Sequence, residues 1–149
     1  MSVKIIEPKS PEEYCKYYNL RYVVLRKPWC QPLGSERDEN EESSIHRMII
    51  CEETGDVLAV GRLQFNSDYE SQIRYMAVAE DFQGQGLGNQ IISTLEDISR
   101  KNNIRRMILQ ARGNAIQFYK NNGYKIIKKT HLLFGEIQHW LMSKDLNSG

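Results

Sequence analysis

A chain of 149 residues has the length of one ordinary domain and can bury a sizeable core. With 40% hydrophobic and 26% charged residues it reads as a folded globular protein, not a disordered tail. A net charge of +1 excludes the strongly basic face that a broad nucleic-acid footprint needs, and the pairs Arg105-Arg106 and Lys128-Lys129 are short enough to be solvated surface.

The first residues, "MSVKIIEPKS", hold a short strand and no signal-peptide core, and no apolar run reaches the length of a membrane span. A cytoplasmic protein without a membrane partner is expected. Ser10-Pro11-Glu12-Glu13 is a helix start, with Ser as N-cap, Pro at the first helical position and Glu at the capping-box position. That helix is predicted to run to about Leu25. Pro28, Pro32 and Gly34 interrupt the chain beyond the helix, and "SERDENEESS" at 35–44 is polar and acidic. "IHRMIICEE" and "VLAVGRLQF" are predicted strands joined by a hairpin turn at Thr54-Gly55-Asp56, and "SQIRYMAVA" is a third. From Leu87 the period changes: Leu87, Ile91, Leu95 and Ile98, with Ile92 beside them, share one helical face. "RRMILQA" is a strand, "NAIQFYKNN" a short helix stopped by Gly123, and "GYKIIKKTHLLF" and "IQHWLMSKDL" are closing strands.

The predicted order is β-α-βββ-α-β-α-ββ, an α/β fold in a single domain over 1–149. There is no internal repeat, low-complexity tract or dividing linker. Cys15, Cys30 and Cys51 are odd in number and lack C-x-x-C spacing, so reduced, structural thiols are expected. His46, His131 and His139 are scattered without metal-ligand spacing, and no metal site is expected.

The stretch "DFQGQGLGNQ" at 81–90 carries the chemistry. It lies between a predicted strand and a predicted helix, where unpaired N–H groups and the positive end of the helix dipole collect. Such a place suits an anion, and glycine lets a pyrophosphate approach the backbone. A P-loop would need Lys followed by Ser or Thr, which is missing. A dinucleotide fingerprint would need glycine where Asn89 stands, and an acidic residue after the next strand, where Ala111-Arg112 stand. The third reading is a coenzyme A pyrophosphate site.

Val78, then Gln83-Gly84-Gln85-Gly86-Leu87-Gly88, resembles the acetyl-CoA signature V-x-x-x-x-[Q/R]-x-x-G-x-[G/A] of the GNAT N-acetyltransferases, matching every fixed position. Ala115-Ile116-Gln117-Phe118-Tyr119-Lys120-Asn121-Asn122-Gly123-Tyr124 is similar to that family's A-x-x-F-Y-x-x-x-G-F segment. One helix and one strand fit between the two blocks. The resemblance covers nearly the whole chain and implies a mixed, mostly antiparallel sheet of six to seven strands flanked by helices. It departs from the family at Arg112, where Asn often stands; Asn114 lies beside Ala115 instead.

The resemblance implies that acetyl-CoA is the cosubstrate and that a small-molecule or peptide amine accepts the acetyl group, with a homodimer allowed. It implies cofactor contacts from Met76, Ala77 and Val78, from Gln83, Gly84, Gln85, Gly86, Leu87, Gly88 and Asn89, and from Arg112, Asn114 and Phe118. The oxyanion of the tetrahedral intermediate needs a positioned N–H, which it locates on the backbone of Met76 to Val78. The leaving thiolate needs a proton donor, and it assigns Tyr119; the plainer reading makes Phe118-Tyr119 an aromatic core pair. The base that takes the amine proton stays open among His46, Glu36, Asp38, Glu136 and a water chain. Residues 35–44 are read either as a negative field favouring a cationic acceptor or as a solvated loop. A module that binds acyl-CoA or a nucleotide without turnover is the alternative to an enzyme.

Overall fold

The structure, a computed structural model, describes residues 1–146. The chain runs β1 (Val3–Ile6), α1 (Pro11–Leu25), β2 (Ile45–Cys51), β3 (Val57–Phe65), β4 (Glu70–Val78), α2 (Leu87–Lys101), β5 (Arg106–Arg112), α3 (Ile116–Asn121), β6 (Lys125–Leu133) and β7 (Ile137–Asp145). These elements match the predicted order. Short 3-10 turns at Lys27–Trp29, Glu80–Phe82 and Gly113–Ala115 fill three of the connections. The strands form one sheet in the order β1-β2-β3-β4-β5-β7-β6. Every neighbouring pair is antiparallel except β4–β5, whose parallel pairing requires a crossover, supplied by α2.

Alternation along the strands sorts side chains to the two faces. Met48 and Val60 turn to one face, where Tyr17 and Leu20 of α1 cover them. Their neighbours Ile49 and Ala59 turn to the other, under Ile91, Ile92 and Leu95 of α2. Helix α1 starts on the expected capping box: Ser10 Oγ accepts from Glu13 N–H at 3.1 Å, and Glu13 Oε1 accepts from Ser10 N–H at 3.1 Å. Helix α2 sits so close to β3 that a Cβ on Gly61 would lie 2.5 Å from Ile91 Cγ2. Glycine is needed there for packing, because its backbone is ordinary. Of the three thiols, all unbonded, only Cys51 is buried; Cys15 and Cys30 are exposed and add nothing to the core.

Two irregularities open the sheet. Val60 pairs with Ala77 and Arg62 with Arg74, so Tyr75 and Met76 of β4 oppose the single Gly61. This is a β-bulge, and Tyr75 takes a positive φ of 52° in it. Next to the bulge, the β4–β5 ladder runs from Glu70↔Arg106 to Ile73↔Leu109 and stops, although both strands continue. Beyond that point they diverge. No helix among the described residues is long and apolar enough to cross a membrane.

Candidate active site

The gap between the diverging ends of β4 and β5 is the floor of a cleft of about 720 Å³. One end is the turn into α2. Gly84 and Gly86 have φ of 80° and 83°, a left-handed conformation that favours glycine, and a Cβ on either would meet no protein atom within 4 Å. Open space therefore lies over the backbone here. Gly86 is the N-cap of α2, so the first N–H groups of that helix have no partner within it. Gln83 ties the loop back to β4 by donating to the Val78 carbonyl at 3.1 Å. Gly88 is buried against Phe118, whose Cζ would lie 3.0 Å from an added Cβ.

The middle of the cleft is the free edge of β4. Ala79 N–H donates to Leu58 O on the β3 side at 2.8 Å. Strand alternation then turns the N–H groups of Val78 and Met76 toward the gap that β5 has vacated. Across the gap stands Tyr119, packed edge-on against Phe118 at 5.1 Å and Tyr124 at 6.0 Å. Burial pushes the Tyr119 hydroxyl up to about 12, with the nearby Arg112 charge opposing that rise. It holds its proton at neutral pH.

The far end is cationic. Arg26, Arg74 and Arg112 line it, with His131 and His139, whose rings stack 4.4 Å apart, and with the ring of Tyr75. Burial, more than the neighbouring His131, Arg112 and Arg26 charges, lowers the His139 pKa, although the Ile137 carbonyl opposes it.

Of the residues expected at a cofactor site, Met76, Ala77, Val78, Gln83, Gly84, Gly86, Leu87, Gly88, Asn89, Arg112, Asn114 and Phe118 all line this cleft, together with Tyr119. Gln85 is exposed and does not line it. The base candidates lie elsewhere. His46 is buried under α1, its Nδ1 2.8 Å from the Tyr17 hydroxyl and its Nε2 2.7 Å from the Glu41 carbonyl. Both ring nitrogens are therefore engaged, and His46 lines a separate depression beside Tyr14 and Glu41. Glu136 sits exposed in the β6–β7 turn.

The acidic segment differs most from expectation. Glu36 is buried, and its carboxylate accepts from Gly34 N–H at 2.8 Å and Arg37 at 3.1 Å. Asp38 takes Arg62 in a fork at 2.7 and 3.1 Å, and Glu41 bridges Arg62 at 2.8 Å and Arg21 at 2.9 Å. Arg21 and Arg62 are fully buried. Burial would raise the Asp38 carboxyl, but Arg62 and the Asn40 N–H outweigh it and hold it low. Asp38 and Glu41 thus neutralise core arginines, and Glu36 is engaged by the surface Arg37, so the three lend little field to the solvent; of the acidic residues in this segment, only Glu39 and Glu42 stand exposed. Tyr75, Arg26, Arg74 and the two histidines gave no sequence signal as a site. They come from four separate elements and meet only in the folded chain.

The acetyltransferase (GNAT) family model matches residues 12–124. YjcF of Bacillus subtilis (strain 168), described as an uncharacterized N-acetyltransferase, is 27% identical over 143 residues, spanning 96% of this chain and 100% of that protein. A crystal structure from Lactobacillus plantarum superposes with a TM-score of 0.85 at 18% identity, over 99% of this chain and 100% of that one. A GNAT family acetyltransferase from Elizabethkingia anophelis with acetyl-CoA bound does so with a TM-score of 0.72 at 15% identity, over 96% and 97%. At such identities the structures speak for the shared fold, and the family match over most of the chain speaks for descent. This chain belongs to the GNAT acetyltransferase family.

Proposed function

We propose that the chain transfers an acetyl group from acetyl-CoA to a primary amine, acting as one catalytic domain. The observation that carries this reading is the alignment along one cleft of three features: a glycine-built helix N-terminus, a strand edge with unspent N–H groups, and a buried, protonated tyrosine. The cradle suits the cosubstrate on its own geometry, since the space over Gly84 and Gly86 is open and the N–H groups of α2 face it. A bound thioester would supply an activated acetyl group.

The N–H groups of Met76 and Val78 would hold the thioester oxygen as it becomes an oxyanion, the role with the largest expected contribution. The amine nitrogen forms a bond to the carbonyl carbon, the C–S bond breaks, and the sulfur accepts the Tyr119 proton. The Arg112 charge beside Tyr119 favours that transfer by stabilising the phenolate left behind. With His46 engaged at both nitrogens, we assign the amine proton to water in the open cleft.

The test is release of free thiol from acetyl-CoA with and without primary amines. Amine-dependent release supports transfer. Tight acetyl-CoA binding with no release for any amine favours the alternative, a module that binds acyl-CoA without turnover.

A further inference from the structure

The far end of the cleft carries charge that the protein leaves unbalanced. Arg26 Nη1 donates to the Leu25 carbonyl at 3.1 Å, and Arg112 Nη2 donates to the same oxygen at 3.3 Å. Two guanidinium groups from distant parts of the chain thus converge on one carbonyl. Leu25 ends α1, and the end of a helix offers about half a negative charge. That is too little for two full cations. Neither arginine has a carboxylate within ion-pair distance among the described residues. Glu36, the carboxylate acting on Arg26, has its oxygens engaged by Gly34 and Arg37. Arg74 adds a third positive group to the same wall, 3.9 Å from an Asp38 that Arg62 already occupies.

Both arginines are half-buried, and burial is the main cause lowering each pKa, with Arg26 adding to the effect on Arg112. Compensation is partial: Arg26 Nε donates to the Ser35 carbonyl at 3.0 Å and its guanidinium lies 5.6 and 5.5 Å from the Tyr75 and Phe134 ring centres, but no ion pair among the described residues balances either charge. Such an arrangement costs stability unless a ligand completes it. The phosphates of coenzyme A are not that ligand if they sit at the α2 N-terminus, because the thioester then reaches Tyr119 and the arginines lie beyond it. What enters from the far end is the acceptor.

We infer that the acceptor amine carries an anionic group, a carboxylate or a phosphate, held by Arg26 and Arg112. This rests on the acetyltransferase reading above and replaces the cationic acceptor suggested by residues 35–44, of which Asp38 and Glu41 are spent on buried arginines and Glu36 on Arg37. Guanidinium forks match both anions in pairs of hydrogen bonds. Arg112 accordingly serves the acceptor and not the cofactor.

The test has two arms. In the first, 4-aminobutanoate, its methyl ester, 3-aminopropyl phosphate and 1,4-diaminobutane are compared as acceptors by thiol release. The anionic amines should exceed the ester and the diamine in kcat/KM by about 10- to 100-fold, the range of one charged hydrogen-bonded pair. The better of the carboxylate and the phosphate identifies the anion. In the second arm, N-acetyl-4-aminobutanoate, its phosphate counterpart and its methyl ester are titrated into CoA-saturated protein by calorimetry. The anions should bind at least 10-fold tighter than the ester. Arg26→Gln and Arg112→Gln should each erase that preference while leaving CoA affinity in place. Equal use of ester and diamine, equal binding of ester and anion, or no measurable binding of either anion overturns the inference. So does loss of CoA affinity in both variants. Absent turnover with the anion preference intact in binding would sink the transfer reading and spare this one.

Discussion

The hydroxyl of Tyr17 lies 2.8 Å from Nδ1 of His46, and the far ring nitrogen of that histidine faces the Glu41 carbonyl at 2.7 Å. A carbonyl only accepts, so Nε2 carries the proton; in the neutral ring Nδ1 then accepts from the Tyr17 hydroxyl, for which the Gly61 carbonyl at 3.2 Å is the competing acceptor. A second proton would have to enter a buried place beside the Arg21 and Arg62 guanidinium groups, whose repulsion the Glu41 carboxylate offsets in part. Burial, chiefly, therefore lowers the His46 pKa, against the pull of the Glu41 carbonyl.

Stability should depend on pH through this group. In the unfolded chain His46 takes a proton below about pH 6.5, while in the fold it resists one. The unfolded state then binds more protons, so stability falls as pH drops from about 6.5 toward the lowered folded value. The slope from one such group is at most about 1.4 kcal/mol per pH unit, and His139 adds in the same direction. Urea unfolding at pH 7.5 and pH 5.0 should show this loss, and His46→Gln should reduce it. An unchanged difference in the variant would remove His46 from the account.

At the turn into α2, a paired substitution separates charge from backbone strain. Gly86 has φ 83°, which Asn and Asp both tolerate better than other residues, at a cost of about 1–2 kcal/mol. Gly86→Asp should weaken CoA binding at least tenfold more than Gly86→Asn, because only Asp sets a negative charge against the pyrophosphate. The same charge favours a helix N-terminus, so the Asp variant should be no less stable than the Asn variant. Calorimetry showing equal CoA affinities would refute a phosphate site there.

Tyr119→Phe keeps the ring that packs against Phe118 and Tyr124 and removes the hydroxyl. Turnover should fall by about 10²–10⁴-fold, with acetyl-CoA affinity nearly unchanged. Because burial pushes this hydroxyl up to about 12, the wild-type kcat should show no alkaline loss from it below about pH 10. A variant within about twofold of wild-type turnover would return Tyr119 to a packing role.

Gly61→Ala tests the close approach of α2 to β3. The new methyl would meet Ile91 Cγ2 at 2.5 Å and Leu95 Cδ1 at 3.2 Å, so the Ile91 side chain or the helix that carries it must shift. A loss of about 1–3 kcal/mol is expected in denaturant unfolding. Ile91→Leu, which removes the offending branch, should restore part of it. Full stability of the single variant would show that the helix yields freely.

Asp38→Asn leaves the fully buried Arg62 with Glu41 as its one remaining carboxylate. Breaking a buried pair from one side costs about 3–5 kcal/mol, so the variant should melt far below wild type. Replacing the exposed Glu39 and Glu42 with Gln should change stability by no more than about 0.5 kcal/mol. If Asp38→Asn were equally mild, the segment would be the solvated loop that its composition allows.

Local signals wrote most of the fold into the sequence. The Ser10–Glu13 capping box, the apolar face of Leu87, Ile91 and Leu95, and Gly123 after α3 each act within a few residues, so element order could be read directly. The glycine turn was legible for the same reason, since Gly84 and Gly86 answer a backbone need at their own positions. The surroundings of that turn were not. The cleft exists because the β4–β5 ladder stops after Ile73↔Leu109, next to a bulge that pairs two residues with Gly61, and neither feature has a local signature. Charge was the least legible property. Residues 35–44 look like a free acidic run, yet Asp38 and Glu41 neutralise Arg21 and Arg62 of α1 and β3, whose burial carried no signal in the sequence. Arg112 stands out in the sequence only as a departure from the family pattern and Arg26 not at all, yet both end on one shared carbonyl. Hydrophobic period and turn chemistry act between neighbours in the chain, so the sequence alone determined the elements and the loop. Coulomb interactions and desolvation act between neighbours in space, so only the tertiary structure decided which charges are spent and which are left for a ligand.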